Sequence, residues 1–504
     1  MRALDLIEQV LDPGSFTAWN DPLPDLPEPD PRYAAELAAA RERTGLDEAL
    51  VTGEGRVHGR PVAVVACEFD FMAGSIGVAG AERLTRAVER ATERRLPLVA
   101  SPTSGGTRMQ EGTVAFLQMV KISAAVAAHR AAGLPYLVYL RHPTTGGVFA
   151  SWGSLGHVTA AQPGALVGFL GPRVYEALHG RPFPEGVQVA ENLYEHGLID
   201  AVVAPGELRE VAARVLDVLD PGTEADAPGA EPGAEQRPAL PDGADVPAWT
   251  SVERSRDARR PGLRALLRHG ARAVTPLRGT GEGEREPSLW LALARFGVGA
   301  GPGAPCVVLG QDRSRQSEHG PFGPAGLRQA RRGMRLASEL GLPLVTVVDT
   351  AGAALSREAE EGGLAGEIAR CLAELVLLPA PTVCLLLGQG SGGGALALLP
   401  ADRVVCAQHG WLSPLPPEGA SAILYRTTTR APEIADRQGI GAADLYRDGI
   451  VDRVVAEHPD AAEEPEEFVR RVAAVLEHEL TALRARDPAA RVAARRERYR
   501  HLGL

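Results

Sequence analysis

Lysine is nearly absent from this chain of 504 residues, since Lys121 is the single lysine among 53 basic side chains. Schiff-base chemistry needs a lysine amine, and so does the covalent attachment of biotin or lipoate. We therefore expect any cofactor that is carried on a lysine to arrive on another chain.

Cysteine is also scarce, with five residues and no C-x-x-C pair. An odd number without paired spacing predicts neither a disulfide framework nor a zinc ribbon. The five are Cys67, Cys306, Cys371, Cys384 and Cys406. This usage is typical of a reducing cytoplasm.

Long apolar runs and a basic leader are missing as well. Apolar runs such as residues 382–387 fall far short of the ~20 residues that cross a bilayer. The first twelve residues include the acidic Asp5, Glu8 and Asp12. A signal peptide needs a basic start and an unbroken apolar core, so none is predicted. The net charge of -11 disfavours wholesale binding to nucleic acid or anionic membranes. We expect a cytoplasmic protein whose partners include no nucleic acid and no membrane.

An internal repeat organises what is present. The segment LPLV occurs at Leu96 and again at Leu342, an offset of 246 positions. The glycines that end PTTGG and GSGGG, Gly147 and Gly394, align at an offset of 247, and NLYEHGLIDAVV aligns with DLYRDGIVDRVV at 252. Three blocks in the same order predict two copies of one fold.

A connector separates the two copies. Residues 221–246 are rich in Pro, Gly, Ala and Glu, the composition of a flexible linker. The predicted domains are therefore residues 1–220 and residues 247–504, each of ordinary domain size.

Short β-branched runs alternate with longer helical stretches inside a copy. Residues 61–69, 98–101 and 134–140 are predicted strands, and residues 80–94 and 113–132 are predicted helices. The helical stripe of the second helix consists of Phe116, Val120, Ser123, Ala124 and Ala127. Strand, helix and strand in this order predict parallel pairing with right-handed crossovers, so the fold class is α/β.

Glycine is concentrated where strands meet helices. The first copy has Thr103–Gly106 and Thr144–Gly147, and the second has Thr350–Gly352 and Gly390–Gly394. Glycine allows a positive φ and exposes backbone N–H groups, so such junctions can stabilise an oxyanion. Tight packing of a strand on a helix is the alternative explanation of any single junction. Because such junctions are repeated in both copies, we expect the protein to stabilise two oxyanions. A reaction between two carbonyl compounds, each of which becomes enolate-like, would need this.

Other catalytic sets are not supported. The serines lack a G-x-S-x-G elbow, so a hydrolase triad is not predicted. Arg108, just after the first junction, could pair with a phosphate or carboxylate of a ligand, or with Glu111 three residues on. The arginine-rich stretch 484–500 predicts a solvated or subunit-contacting helix.

Several segments resemble the carboxyltransferase of bacterial acetyl-CoA carboxylase. The first copy resembles its β subunit in FDFMAGSIG, SGGTRMQEG, PTTGGVFAS and GFLGPRV. The second copy resembles its α subunit in VERSRDARRP, GLPLVTVVDTAGA, GEIARCLAEL and SPLPPEGASAILYR. Together the matches cover nearly the whole chain outside the connector.

The resemblance implies two tandem crotonase-like (ClpP/crotonase) domains and a biotin-dependent acyl-CoA carboxyltransferase. It implies that carboxylate passes from carboxybiotin to the α-carbon of acetyl-CoA or another acyl-CoA, giving malonyl-CoA for fatty acid biosynthesis. The biotin anion would remove the α-proton, so no side chain need act as base. The implied partners are a separate biotin carboxylase and a biotin carboxyl carrier protein. A homo-oligomer is also implied, with sites between a β-like half and an α-like half.

The resemblance also assigns residues in the first, CoA-binding half. The amides of Gly146 and Gly147 would form its oxyanion site, and Ser104, Gly105 and Gly106 would line it.

The second, biotin-side half is assigned Gly393 and Gly394, next to Ala351 and Gly352. Arg108 completes the candidate substrate-binding residues. Behind these glycines, Leu396 and Leu398 are the side chains expected to set pocket size.

This chain departs from the family pattern in places. It begins beyond the position of the usual four-cysteine zinc ribbon, so no zinc is expected. In the second half DTPGAYPG is replaced by DTAGAALS, and EGGSGG by QGSGGG. Two alternative functions follow, a biotin-independent malonyl-thioester decarboxylase and a degenerate, non-catalytic subunit of a carboxylase.

Overall fold

The computed structural model describes residues 1–19, 21–22, 29, 31–106, 108–169, 176, 180–219, 237–297 and 301–500. The chain divides into two compact units. The first unit holds residues 1–220 with 281–283, and the second holds residues 221–280 with 284–504. Of the predicted linker, residues 221–236 lie outside the described residues.

Among its described residues, the first unit contains nine strands and six α-helices. The strands are β1 (Thr17–Ala18), β2 (Leu50–Val57), β3 (Arg60–Cys67), β4 (Leu98–Ser101), β5 (Tyr136–Leu140), β6 (Thr144–Thr145), β7 (Val158–Ala161), β8 (Val167–Gly168) and β9 (Ala201–Val202). The helices among its described residues are α1 (Ala3–Val10), α2 (Pro31–Thr44), α3 (Val78–Glu93), α4 (Gly112–Ala131), α5 (Ala190–Glu195) and α6 (Leu208–Leu219).

Its main sheet has seven strands in the order β1-β2-β3-β4-β5-β7-β9. The first three strands pair antiparallel, and the pairs from β3 to β9 are parallel. All five residues of β5 are buried, as expected for a central parallel strand covered on both faces. Strands β6 and β8 form a separate parallel pair.

The second unit contains eight strands and twelve helices among its described residues. The strands are β10 (Ala271–Leu277), β11 (Leu289–Phe296), β12 (Ala304–Gln311), β13 (Leu344–Thr350), β14 (Thr382–Ser391), β15 (Arg403–Ala407), β16 (Trp411–Ser413) and β17 (Arg453–Val455). The helices are α7 (Ala248–Ser255), α8 (Leu263–Gly270), α9 (Arg313–His319), α10 (Pro324–Leu340), α11 (Arg357–Glu361), α12 (Leu364–Leu377), α13 (Gly392–Leu396), α14 (Pro417–Tyr425), α15 (Ala431–Arg437), α16 (Ala442–Arg447), α17 (Pro465–Arg484) and α18 (Pro488–Arg500).

Its sheet repeats the topology of the first unit. The order is β10-β11-β12-β13-β14-β15-β17, with antiparallel pairs up to β12 and parallel pairs from β12 to β17, while β16 pairs with the end of β14. Each unit has its own buried apolar core. The predicted α/β class with parallel sheets is confirmed. Among the described helices, none combines the length and apolarity that a bilayer crossing needs.

Three members of the stripe that predicted helix α4 lie on its exposed side. Val120, Ala124 and Ala127 are exposed, while Met119 and Val126 are buried. Both faces of this helix carry apolar side chains, so helical spacing alone could not identify the core side. The first unit therefore displays an apolar surface on α4.

Two other expectations change in the second unit. The described part of the predicted linker is hydrogen-bonded to Tyr446. Arg237 donates to the Tyr446 carbonyl, and the Tyr446 hydroxyl donates to the Pro238 carbonyl at 2.9 Å. The arginine-rich C-terminal helix is largely exposed, as predicted, except that Arg491 and Arg495 are buried in their own unit. Neither contact is local in sequence, so neither could be found from composition.

Candidate active site at the glycine junctions

The two junctions of the first unit are bound to each other through their backbones. The Ser104 amide donates to the Pro143 carbonyl at 2.7 Å, and the Thr145 amide donates to the Ser104 carbonyl at 2.9 Å. Ser104 Oγ accepts a hydrogen bond from the Gly106 amide at 2.9 Å. Gly106 adopts φ +112°, a conformation that favours glycine. The turn that places one junction against the other thus depends on the Ser104 hydroxyl and on glycine at position 106.

The amides of Gly146 and Gly147 differ in availability. Gly146 has φ +66°, and a Cβ there would lie 3.2 Å from the Gly106 Cα, so backbone approaches backbone. Its N–H donates to the Phe169 carbonyl at 2.9 Å. The half-buried Gly147 amide has no hydrogen-bond partner among the described residues. The structure therefore leaves Gly147, and not Gly146, with an N–H that can meet a ligand.

The second unit repeats the first turn. Thr350 Oγ1 accepts a hydrogen bond from the Gly352 amide at 3.1 Å, as Ser104 does from Gly106. Gly352 has φ +139°, and Ala351 is exposed as Gly105 is. The two turns are equivalent at an offset of 246 positions.

The glycine runs align at the same offset, which corrects the sequence alignment by one residue. Thr350 pairs with Gly390 as Ser104 pairs with Thr144, and Gly392 has φ +64°, close to that of Gly146. The counterpart of Gly147 is therefore Gly393. Alignment on the last glycine of each run gave 247 because the final glycine run of GSGGG is one residue longer than that of PTTGG.

An amide that the sequence analysis missed approaches the second glycine run. A Cβ at Gly394 would lie 3.0 Å from the Ala353 nitrogen and 2.8 Å from Phe322 Cζ. Within the described ranges, neither the Ala353 amide nor the Gly393 amide has a hydrogen-bond partner. The sequence repeat contained a signal for this amide, because the turn that ends in a positive-φ glycine occurs in both copies. The residue that follows this glycine therefore occupies the same position in each copy. Its first-unit counterpart, Thr107, lies outside the described residues.

Ser391 precedes the short helix α13 without capping it. Its side chain makes no cap hydrogen bond, and its fully buried hydroxyl has no partner in the described part of the chain. A serine at this position usually satisfies the amides of the first turn. Here the amides of Gly393 and Gly394 stay available instead.

Arg108 is enclosed rather than open to a ligand. Its side chain is 0% exposed and forms a bidentate pair with Glu48 at 2.9 and 2.5 Å. It also donates to the Ser75 carbonyl, whereas Glu111 is 3.9 Å away. Burial opposes its positive charge, but the hydrogen bonds and charge of Glu48 raise the pKa of Arg108 above its usual value. The ion-pair interpretation is therefore favoured, with Glu48 as the main partner of Arg108.

Side-chain nucleophiles and metal ligands are not gathered at these junctions. None of the residues 104–106, 146–147, 351–353 and 391–394 carries an acidic or basic side chain. In the described ranges, no three His, Cys, Asp or Glu side chains are grouped so as to hold a metal. Burial raises the pKa of Cys67 to about 11 and that of Cys384 to about 12, which makes both thiols poor nucleophiles. What the junctions offer chemically is backbone N–H groups.

Comparison with known proteins gives consistent matches. The carboxyl transferase domain family matches residues 3–493. The "Probable biotin-dependent acyl-coenzyme A carboxylase beta3 subunit" of Mycobacterium tuberculosis is 62% identical over 495 residues, covering 98% of this chain and 97% of the relative. The "Acetyl-coenzyme A carboxylase carboxyl transferase subunits beta/alpha" of Salinispora arenicola is 40% identical over 517 residues, covering 99% and 90%.

A solved structure shares the fold. Transcarboxylase 12S, described as a hexamer with hydrolysed methylmalonyl-coenzyme A bound, aligns with a TM-score of 0.73 at 20% identity, covering 95% of this chain and 89% of that one. At this identity the likeness concerns the fold alone. It confirms the predicted pair of crotonase-like domains.

Proposed function

Because this chain belongs to the carboxyl transferase family of biotin-dependent acyl-CoA carboxylases, we propose that it converts acetyl-CoA to malonyl-CoA with carboxylate from carboxybiotin. One matching relative is named as a subunit of an acyl-CoA carboxylase and another as the carboxyl transferase of acetyl-CoA carboxylase. Both match nearly the whole chain. Acetyl-CoA is the substrate to test first, and fatty acid biosynthesis is the pathway this product would supply.

One observation carries the proposal, the equivalent pair of glycine junctions with unpartnered amides. Gly147 offers such an amide in the first unit, and Gly393 and Ala353 offer two in the second. Preorganised amides stabilise negative charge that develops on an oxygen, and removing one donor typically costs ~2.7–4 kcal/mol of barrier. A carboxyl transfer develops such charge on the thioester oxygen and on the ureido oxygen of biotin.

We assign the first unit, residues 1–220, to the acyl-CoA and the second, residues 247–504, to biotin. The second unit suits a ureido oxygen, because that acceptor needs N–H donors and the amides of Gly393 and Ala353 supply two. Carboxybiotin, carried on a separate protein, would supply the carboxyl group and the base. The chain's own contribution would be to orient the two oxygens, since its junctions carry no acidic or basic side chain.

The partners follow from the same assignment. A biotin carboxylase and a biotin carrier are required, because the chain has a single lysine and no Ala-Met-Lys-Met site. A homo-oligomer would bring the first unit of one protomer to the second unit of another. The exposed side chains of Val114, Leu117 and Val120 on α4 support an oligomer, since apolar surface of this kind commonly marks an interface.

Acyl-chain length would be set near the second glycine run. Leu396 is 45% exposed and lies two residues after Gly394, so it can contact an acyl group. Leu398 is fully buried, and its carbonyl accepts a hydrogen bond from Thr346 Oγ1 at 2.7 Å. Of the two leucines, we retain Leu396 as the specificity candidate.

Malonyl-CoA turnover by the purified chain, with and without free biotin, tests the function. Loss of malonyl-CoA that depends on biotin and yields acetyl-CoA is the expected result, because it is carboxyl transfer in reverse. Gly393→Val should abolish it. Gly419→Ala is the matched control, since no atom lies within 4 Å of a Cβ there. If turnover is the same without biotin and is unchanged by Gly393→Val, the chain is a malonyl-thioester decarboxylase instead. If malonyl-CoA is not turned over at all, the chain is a non-catalytic subunit.

A further inference from the structure

A cleft of about 240 Å³ in the second unit is lined mainly by arginines. Two aspartates, Asp402 and Asp452, also line it, and none of the described lining residues belongs to a glycine junction. The arginines are Arg237, Arg403, Arg486, Arg491, Arg495 and Arg498. Arg403 also pairs with Glu479 at 3.6 Å, so five further arginines stand against the two aspartates and leave a positive excess.

Helix α18 supplies half of these arginines from one face. Arg491, Arg495 and Arg498 follow the spacing of successive helical turns. Arg495 forms a bidentate pair with Asp402 at 2.9 and 2.7 Å. Arg498 pairs with Asp452 at 2.6 Å. The two aspartates are therefore already engaged by two of the arginines.

Arg491 is left without a carboxylate of its own. Its Nε lies 3.5 Å from Asp402, which Arg495 already occupies, and it has no hydrogen-bond acceptor among the described residues. Its other nitrogens donate to backbone carbonyls, which carry no net charge. Burial lowers the pKa of Arg491, the nearby Asp402 carboxylate opposes this shift, and the positive charge of Arg495 adds to it. Positive charge gathered in this way is costly to bury unless an anion balances it.

We propose that this cleft binds a small anion that carries a diphosphate group. The guanidinium fork matches phosphate oxygens in a bidentate manner, and an arginine cluster is the usual means of binding them. The cleft is smaller than the roughly 300–1,000 Å³ of typical ligand pockets, so it suits a diphosphate group rather than a whole nucleotide. The group could belong to free inorganic diphosphate or to CoA, and this site is separate from the junctions assigned to the thioester and biotin.

Calorimetric titration of the full chain with inorganic diphosphate, at constant ionic strength, tests the site. Wild type should bind one diphosphate per chain. Arg491→Gln and the half-buried Arg486→Gln should each raise Kd about tenfold or more, because each removes a charged hydrogen-bond donor. Arg486→Gln keeps the test decisive if Arg491→Gln fails to fold. Arg470→Gln is the matched control, since this exposed arginine pairs with Glu466 and Glu467 of its own helix and does not line the cleft.

Competition with CoA identifies the source of the diphosphate. If CoA displaces the bound diphosphate from wild type, the group is that of CoA, and if it does not, the ligand is a free anion. Absence of saturable binding to wild type overturns the proposal. So does an equal rise in Kd in Arg470→Gln, which would show a general charge effect.

Discussion

Gln311 Nε2 donates a hydrogen bond to the Gly394 carbonyl at 2.8 Å, while its Oε1 accepts one from the Asp349 amide at 3.0 Å. Asp349 Oδ1 in turn accepts from the Gln389 amide at 3.1 Å. One buried side chain thus spans the two junctions of the second unit. Gln311 is a positioning residue, because it fixes where the Gly394 backbone lies without facing a ligand.

Replacing Gln311 with Met should slow carboxyl transfer more than it weakens substrate binding. The change keeps the shape of the side chain but removes both hydrogen bonds, and a small displacement of reacting groups can cost up to about 100-fold in rate. We expect kcat to fall about tenfold or more with little change in KM for acyl-CoA.

The matched control is Gln329→Met. Gln329 is also buried in the second unit and donates to the Leu289 carbonyl at 2.9 Å, which lies outside the junctions. A comparable fall in kcat for both variants would show that Gln311 acts only through general stability.

The two neighbouring glycines should respond differently to alanine. At Gly394 a Cβ would meet Phe322 Cζ at 2.8 Å and the Ala353 nitrogen at 3.0 Å, so the backbone donor itself must move. At Gly393 the Cβ would meet Ile368 Cδ1 at 2.8 Å, the mobile end of a side chain. Gly394→Ala should therefore lose most of the biotin-dependent activity and Gly393→Ala should retain a larger part, as measured by malonyl-CoA turnover. The reverse order would argue against the Ala353 amide as a donor.

Local pattern predicted the fold and the junctions well, because both arise from short segments. Strand β4 coincides with the predicted residues 98–101, and α4 differs from its predicted bounds by one residue at each end. The turns at Gly106 and Gly352 could be predicted because the same Gly-containing turn occurs twice. The apolar stripe on α4 could not be assigned to core or surface, since that choice depends on what packs against the helix.

Contacts between distant segments explain the remaining differences. The Gly146 amide is occupied by the Phe169 carbonyl, and Arg108 pairs with Glu48, which lies 60 residues earlier. Neither partner can be identified by spacing, whereas Glu111 is an apparent partner of Arg108 because it lies within one helical turn. The sequence therefore indicates which residues form the candidate site but not which of their hydrogen-bonding groups remain available.

Glu48→Leu should strongly destabilise the first unit. It leaves the enclosed Arg108 guanidinium without its carboxylate, and breaking a buried pair in this way typically costs about 3–5 kcal/mol. The free energy of unfolding, measured by urea titration, should fall by that amount. Glu48→Leu/Arg108→Met should regain most of the loss, because no buried charge remains.

Glu36→Gln serves as the control for Glu48, since its pair with the exposed Arg32 lies at the surface. Such pairs contribute about 0–1 kcal/mol. A double variant as unstable as Glu48→Leu would show that packing, and not the unpaired charge, causes the loss.

His129 should make the first unit sensitive to mild acid. Its ring is buried, with Nδ1 2.9 Å from Thr92 Oγ1 and Nε2 3.3 Å from the Pro135 carbonyl oxygen. Burial is the main cause that lowers the pKa of His129 to about 4, with His157 as a smaller contribution. The unfolded chain then binds more protons than the folded one between about pH 6.5 and pH 4, so stability is lost as the pH falls through this window.

The measurement is urea unfolding of wild type and His129→Gln at about pH 7.5 and about pH 5.5. The protonation difference of His129 should cost wild type about 1 kcal/mol over this interval, and His129→Gln should lack that part of the loss. His319→Gln, at an exposed helix end, should behave like wild type. If His129→Gln loses as much stability on acidification as wild type does, the His129 ring is already charged or solvated in the folded protein.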